Sequence, residues 1–84
     1  MILKCDLHGF ELSDAIIEVY HALEECAVNE DKLLEIVHGY YHGTVLRNYF
    51  RSKRFLQQTA REGYNLRIVK SSNPGKTQFL IIGN

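Results

Sequence analysis

The sequence lacks most features that identify membrane, secreted and disulfide-bonded proteins. Its 84 residues include one proline, no tryptophan and only two cysteines, Cys5 and Cys26. Two cysteines without C-x-x-C spacing cannot form a disulfide framework, so we expect buried free thiols. No apolar run approaches the roughly 18 residues of a membrane span, and Asp6 interrupts the N-terminal apolar stretch that a signal peptide needs. We therefore expect a cytoplasmic protein with no membrane partner.

The composition predicts one globular domain over residues 1–84, with a strong charge asymmetry between its two halves. Hydrophobic residues make up 45% and charged residues 24%, and the formal net charge is zero. Residues 1–36 contain nine acidic and two basic residues, whereas residues 37–84 contain eight basic residues and one acidic residue. Such asymmetry is typical of nucleic-acid-binding proteins. It is equally typical of two oppositely charged elements that complement each other within a fold, so charge alone leaves both interpretations open.

The hydrophobic pattern predicts the element order β-α-β-α-β-β. One helix is expected to start at Asp14 with Ser13 as its cap, and a second to run from Thr44, as its cap, to Gly63. Because β-α-β crossovers are right-handed, the first three strands should be parallel, with both helices on one face of the sheet. The last two strands should form an antiparallel hairpin, and the last one is apolar enough for the interior of the sheet. The strands are predicted at residues 2–8, 32–38, 65–70 and 77–82.

Three of the four histidines precede a glycine, and two of these His-Gly pairs end predicted parallel strands. The carboxyl ends of such strands line the functional crevice of an open α/β sheet. Asp6 and His8 lie two residues apart, so their side chains share a face, with Cα atoms roughly 7 Å apart. A carboxylate beside an imidazole fixes its tautomer and suits acid–base catalysis, but such a pair also serves as a strand-end cap that binds water. Adding His38 and His42 gives no recognised metal-ligand spacing, and we predict no metal site.

A basic stripe is predicted on the second helix, where Arg47, Arg51 and Arg54 recur at positions i, i+4 and i+7. Such a stripe can follow a phosphate backbone, although a solvated helix face paired with the acidic first helix is the simpler interpretation. Gly43 and Thr44 lead into this helix, whose free backbone N–H groups would bind an anion.

Tyr40 and Tyr41 lie in the loop before that helix. In an exposed loop they can stack on unpaired bases, or they pack against the base of the loop itself.

Three motifs in this order resemble the Smr domain, the small MutS-related domain found at the C-terminus of MutS2 proteins and in stand-alone proteins. Residues 5–9, Cys-Asp-Leu-His-Gly, match the opening Leu-Asp-Leu-His-Gly of the family apart from the first position. Residues 37–47 match its strand, His-Gly loop and Leu-Arg helix start, with a loop one residue longer and a tyrosine pair in place of Lys-Gly. Residues 75–81 match its closing Gly-x-Thr-x-apolar-x-apolar pattern. The resemblance covers essentially the whole chain, as in the stand-alone form.

The resemblance implies a two-layer α/β sandwich similar to the C-terminal domain of translation initiation factor three. Its four-stranded mixed sheet would have the order 1-2-4-3, with two helices on one face. Family members bind nucleic acid, and several are endonucleases that nick DNA or cleave RNA. At the matching positions, Asp6 and His8 would be the catalytic pair, His38 and Gly39 would belong to the active-site loop, and Arg47 would contact phosphate.

The leading hypothesis is therefore an endonuclease acting on RNA or on single-stranded or structured DNA. A divalent cation, Mg²⁺ or Mn²⁺, is favoured if the substrate is DNA, because a water must then be activated, whereas RNA can supply its own 2′-hydroxyl. A non-catalytic nucleic-acid-binding module is the first alternative, and a protein-interaction domain that forms a weak homodimer is the second. The predicted catalytic residues are Asp6, His8 and His38. The predicted nucleic-acid contacts are Gly39, Tyr40, Tyr41, His42, Gly43, Thr44, Arg47, Arg51 and Arg54.

Overall fold

A computed structural model describes residues 2–39, 43–69 and 73–82, and within these ranges the chain forms four strands and three helices. The strands make one mixed sheet in the order β1-β2-β4-β3. This confirms the α/β class and the order 1-2-4-3 expected from the sequence. In chain order the elements are β1 (Ile2–Asp6), α1 (Leu12–Asn29), β2 (Leu33–Val37), α2 (Thr44–Phe50), α3 (Lys53–Arg61), β3 (Asn65–Val69) and β4 (Lys76–Ile82).

The strand pairing leaves β1 and β3 at the edges. β1 pairs in parallel with β2, and β4 pairs antiparallel with both β2 and β3. The apolar strand β4 is thus interior, as predicted. The turn before β4 is fixed by the backbone N–H of Gly75, which donates to Oδ1 of Asn73 at 2.9 Å. This side-chain contact is the usual way in which asparagine stabilises a turn.

The two faces of the sheet differ because side chains alternate along each strand. On the inner face, Leu3, Leu34, Phe79 and Ile68 form one row across all four strands, and the helices pack over them. Among the described residues, no helix packs on the opposite face. We call this the outer face; it is formed by Ile2, Lys4, Asp6, Leu33, Glu35, Val37, Asn65, Arg67, Val69, Lys76, Gln78, Leu80 and Ile82.

The single helix predicted from Thr44 to Gly63 is wrong, because the chain breaks between α2 and α3. Ser52 has an extended backbone (φ −81°, ψ 153°), and its hydroxyl accepts the N–H of Phe55 at 3.2 Å as the cap of α3. In one continuous helix, Phe50 and Phe55 would point about 140° apart. The break lets both rings enter the core, where they pack edge to face with centroids 4.9 Å apart. The predicted end of this segment at Gly63, which has a φ of +93°, is confirmed.

Two predicted helix starts are also wrong by one to two residues. α1 begins at Leu12, with Glu11 as its N-cap, rather than at Asp14 after Ser13. The longer start lets Leu12 pack against the core. Thr44 is the first residue of α2 and not its cap, since Gly43 holds that position.

Both cysteines are free thiols, as predicted, with Cys26 buried and Cys5 half-buried. Burial raises the pKa of the Cys26 thiol to about 11 and that of the Cys5 thiol above its ordinary value. Both thiols are therefore protonated near neutral pH and are poor nucleophiles. Within the part of the chain that the structure describes, none of the helices is long and apolar enough to cross a membrane.

Candidate active site

An exposed carboxylate–imidazole pair lies where β1 ends. Oδ1 of Asp6 accepts hydrogen bonds from Nδ1 of His8 at 2.6 Å and from the backbone N–H of His8 at 3.1 Å. The side-chain bond first, and the backbone bond second, hold the pKa of Asp6 below its ordinary value. An ionised carboxylate only accepts hydrogen bonds, so the imidazole proton must sit on Nδ1. The short spacing of Asp-x-His thus fixes one tautomer of His8.

This tautomer leaves the lone pair of His8 on Nε2. The side chain of His8 is 73% exposed, and its Nε2 has no hydrogen-bond partner among the described residues. An unpartnered, solvent-accessible imidazole nitrogen can take a proton from a hydroxyl group that approaches within hydrogen-bonding distance. The pair therefore has the geometry of a general base with its orienting carboxylate.

His38 occupies a different environment from His8, since it is only 2% exposed. Its Nε2 lies 2.9 Å from Oγ1 of Thr77, and the same oxygen accepts a hydrogen bond from Nε of Arg51 at 2.8 Å. Nη2 of Arg51 also donates to the carbonyl oxygen of Lys76 at 2.8 Å. With the arginine donating to its oxygen, the threonine hydroxyl can donate to Nε2, which places the proton of a neutral His38 on Nδ1.

The charge state of His38 agrees with this arrangement. Burial lowers its pKa below the ordinary value, and the positive charges of Arg51 and Arg47 lower it further, against an opposing hydrogen bond to the carbonyl group of Gly39. A neutral, buried ring with Nε2 bonded is not placed to meet a substrate. His38 instead positions Thr77 and Arg51.

The backbone brings the ends of three strands together at this site. The N–H groups of His38 and Gly39 both donate to the carbonyl oxygen of Gly75, at 3.0 and 3.1 Å, and the N–H of Leu7 donates to Val37 at 2.7 Å. Gly39 has a φ of +88°, and a Cβ added there would lie 3.4 Å from Cβ of His8. Gly39 of the His-Gly loop is therefore close to His8, and a side chain at this position would touch it.

The structure brings some of the predicted site residues together and separates others. Asp6, His8, His38, Gly39 and Gly43 lie at one end of the sheet. Arg47 is half-buried in α2, and Arg51 follows that helix. Arg54 is exposed on α3, so the three arginines do not form a stripe on one helix. Thr44 is exposed at the start of α2. Tyr40, Tyr41 and His42 lie outside the described residues.

Sequence reasoning missed two buried polar residues of the sheet, Thr77 beside His38 and Glu35 on the outer face. Thr77 is buried on the inner face of β4, between Gly75 and Phe79, where a polar side chain signals a buried hydrogen-bond partner. Glu35 is 5% exposed on the central strand β2, and its Oε1 accepts a hydrogen bond from Nε2 of Gln78 at 2.9 Å. The sequence feature that could have indicated Glu35 is a carboxylate in the middle of the otherwise apolar strand β2.

The described residues do not form a metal site. Within residues 2–39, 43–69 and 73–82, no group of three His, Cys, Asp or Glu side chains could hold an ion. Asp6 supplies a single carboxylate, whose Oδ1 is already bonded to His8. The donors that the structure describes therefore do not fit a resident Mg²⁺ or Mn²⁺, and we derive no step through such an ion.

Replacing Thr77 with valine should lower the free energy of unfolding by about 1–2 kcal/mol, because it leaves His38 and Arg51 without their shared partner. Thr59→Val is the matched control, since among the described residues that buried hydroxyl donates only to the carbonyl oxygen of Leu56 within its own helix. Urea unfolding measures both variants. Equal losses in the two variants would show that the Thr77 network adds nothing to stability.

Folding stability should fall as the pH drops below about 6.5. The unfolded chain protonates His38 at its ordinary pKa, whereas the buried ring takes up the proton only at lower pH. The loss begins near the unfolded pKa and levels off below the lowered folded pKa. Urea unfolding at pH 7.5, 6.5 and 5.5 measures it, with His38→Gln expected to reduce the dependence and His21→Gln, an exposed control, to retain it. The same slope in both variants would assign the effect to other groups.

The fold and site define an α/β domain with an exposed, hydrogen-bonded Asp–His pair at the end of a mixed sheet. A family model for the Smr domain matches residues 5–77, so the chain belongs to the Smr domain family. The family binds nucleic acid and is nuclease-like. No curated protein and no solved structure matches the chain.

Proposed function

We propose that this Smr domain is an endonuclease that cleaves phosphodiester bonds in RNA or in single-stranded or structured DNA. The observation that carries the proposal is the 2.6 Å contact between Asp6 and His8 on an exposed strand end. A structural cap has no need of an accessible Nε2, whereas a general base requires one.

The chemistry is simplest for RNA. Nε2 of His8 takes the proton of the 2′-hydroxyl while the 2′-oxygen attacks the phosphorus atom. The bond from phosphorus to the 5′-oxygen breaks, and the leaving oxygen takes a proton from solvent. Asp6 keeps the imidazole in the required tautomer and stabilises the imidazolium that forms, as a carboxylate does in other acid–base pairs. In DNA, water replaces the 2′-hydroxyl as the nucleophile.

Arginine side chains supply the positive charge that the reacting phosphate needs. Arg51 is held by Thr77 and by the carbonyl oxygen of Lys76, and its other N–H donors, which have no partner among the described residues, would donate to a phosphate oxygen. Arg47 has no ion pair among the described residues, and Arg54 extends the positive charge onto α3. Fixed donors aimed at developing negative charge are a large source of catalysis.

Residues of the loop and the α2 start complete the proposed contact surface. The nucleic-acid strand would contact the backbone of Gly39, Gly43 and Thr44. Tyr40, Tyr41 and His42 are assigned to nucleic acid from the sequence alone.

The experiment presents the wild-type chain with labelled single-stranded RNA, single-stranded DNA and a branched duplex, each with EDTA, Mg²⁺ or Mn²⁺. We expect cleavage of at least one substrate. If RNA is cut in EDTA, a strand with one 2′-deoxynucleotide at the cleavage position should resist, because its attacking hydroxyl is missing. A probe that is bound and uncut under every condition would contradict the proposal and favour the non-catalytic binding module.

A further inference from the structure

We infer that a single strand of nucleic acid lies across the outer face of the sheet when one of its phosphates reaches the Asp6–His8 pair. This inference rests on the proposed function and adds the path of the strand, which the arginines of α2 and α3 alone do not define. It assigns three further cations to substrate binding, Lys4, Arg67 and Lys76.

The catalytic pair opens onto the outer face. Asp6 is the last residue of β1 and belongs to that face, where it shares a row with Val37 of β2 and Lys76 of β4. The pair is therefore continuous with the open sheet surface and is not separated from it by any described element. His38 and Thr77 lie on the inner side of the same sheet end.

The accessible charge of the outer face is positive. Lys4 and Arg67 are exposed and have no ion pair among the described residues, and the side chain of Lys76 is 40% exposed. The face also holds two carboxylates: the side chain of Asp6, bonded to His8, is 59% exposed, whereas that of Glu35 is only 7% exposed. The three cations thus outnumber the one exposed carboxylate. The phosphates of a strand would thus meet cations.

The buried carboxylate group of Glu35 also holds one of these cations, Lys76, in place. Oε1 of Glu35 is bonded to Gln78, whereas its Oε2 is buried and has no hydrogen-bond partner among the described residues. Nζ of Lys76 lies 3.9 Å from Oε2. A buried carboxylate oxygen without a hydrogen bond is costly, so Oε2 favours this ion pair, which holds the ammonium group of Lys76 near Glu35.

The surface beside α1 is an unfavourable path for a phosphate backbone that leaves His8. On the α1 side of β1 lies a surface depression of about 590 Å³, lined by Gly9, Phe10, Glu11, Asp14, Ile17 and Glu18. Its three carboxylates have no ion pair among the described residues and would repel phosphates. A strand that reaches His8 is therefore not expected to continue over α1, and the outer face is the open sheet surface beside the pair.

The shape of the face favours a single strand over a duplex. The major groove of a duplex admits a helix or a two-stranded ribbon, whereas the described outer face is a sheet surface about 14 Å wide. Four-stranded sheets in other proteins bind single-stranded RNA across an open face by stacking bases on aromatic side chains. The described outer face has no aromatic side chain, so its contacts to a strand would be made mainly to the phosphates. The Cα atoms of Lys4 and Lys76 are about 12 Å apart in an ideal sheet. The side chains of Val37 and Leu80 form an aliphatic surface among the cations of this face.

The first test measures binding of a fluorescent 20-nucleotide single-stranded RNA by anisotropy over a range of salt concentrations. Lys4→Gln/Arg67→Gln should weaken binding by about tenfold and lower the salt slope by about 1.4, the value for two phosphate contacts on a single strand. The matched control, Lys32→Gln/Arg61→Gln, removes two exposed charges away from the face and should change the affinity by less than about twofold. Equal losses in both variants would overturn the inference.

The second test uses methyl NMR of the wild-type chain with the same RNA. Methyl signals of Val37 and Leu80 on the outer face should shift, whereas those of Ile17 and Val28, exposed on α1, should not. Binding that moves only the α1 signals, or that survives unchanged in the outer-face variant, overturns the inference and leaves the proposed function standing. No binding by the wild-type chain overturns both.

Discussion

Replacing His8 with alanine is expected to slow phosphodiester cleavage by about 10²- to 10⁴-fold, the range that general acid–base catalysis contributes. The side chain is 73% exposed, and among the described residues its ring is bonded only to Asp6, so its removal should leave the fold intact. Binding should change by less than about twofold, because the proposed contacts to the phosphate backbone are made by arginine and lysine side chains. Single-turnover rates at saturating protein concentration measure the chemical step separately from binding.

The matched control for this prediction is His21→Ala. His21 is also exposed and lies on α1, and none of the hydrogen bonds or ion pairs among the described residues joins it to Asp6 or His8. Its replacement should leave the cleavage rate unchanged. If the two alanine variants cleave at the same rate, His8 is not the general base.

Replacing Gly43 with alanine is expected to lower the free energy of unfolding by about 3 kcal/mol, the upper end of the usual range for overpacking. A Cβ at this position would collide with the carbonyl oxygens of His38 and Gly39 and lie 2.8 Å from the carbonyl carbon of His38. These are backbone atoms, which cannot rotate away as a side chain would. The His-Gly loop must therefore move, and cleavage should fall together with stability. Urea unfolding and the single-turnover assay measure the two effects.

Gly63→Ala provides the control for a glycine that is constrained only by its backbone angle. Gly63 has a φ of +93°, and no atom lies within 4 Å of an added Cβ. Its replacement should lower the free energy of unfolding by about 1 kcal/mol and leave cleavage unchanged, because it ends α3 away from the site. A loss in Gly43→Ala no larger than in Gly63→Ala would mean that the loop accommodates a side chain at Gly43.

The sheet could be predicted because its signals are local. Apolar and polar residues alternate along β1, which predicts that Leu3 and Cys5 share one face of the strand. The continuous apolar run at residues 79–82 predicts an interior strand. The break at Ser52 was missed because apolar positions continue past it as far as Leu56. The five-residue spacing of Phe50 and Phe55, which does not fit a helical period of 3.6, was the available signal.

The site could be predicted only where its contacts are close in sequence. The contact between Asp6 and His8 spans two residues, and their spacing alone predicted a shared face. The hydrogen bonds of Thr77 to His38 and Arg51 span 39 and 26 residues, so no local pattern indicates them. The burial of the His38 ring depends on the same distant contacts, so the sequence, which predicts a catalytic His38, does not indicate that this ring is buried.

Cleavage and binding by the wild-type chain and by Asp6→Ala/His8→Ala, measured in the same samples on one end-labelled strand, test the central claim most directly. We expect the wild-type chain to bind and cut the strand, and the double variant to bind it within about twofold of the wild-type affinity without cutting it. Cleavage by the double variant at the wild-type rate would contradict the assignment of the active site to Asp6 and His8.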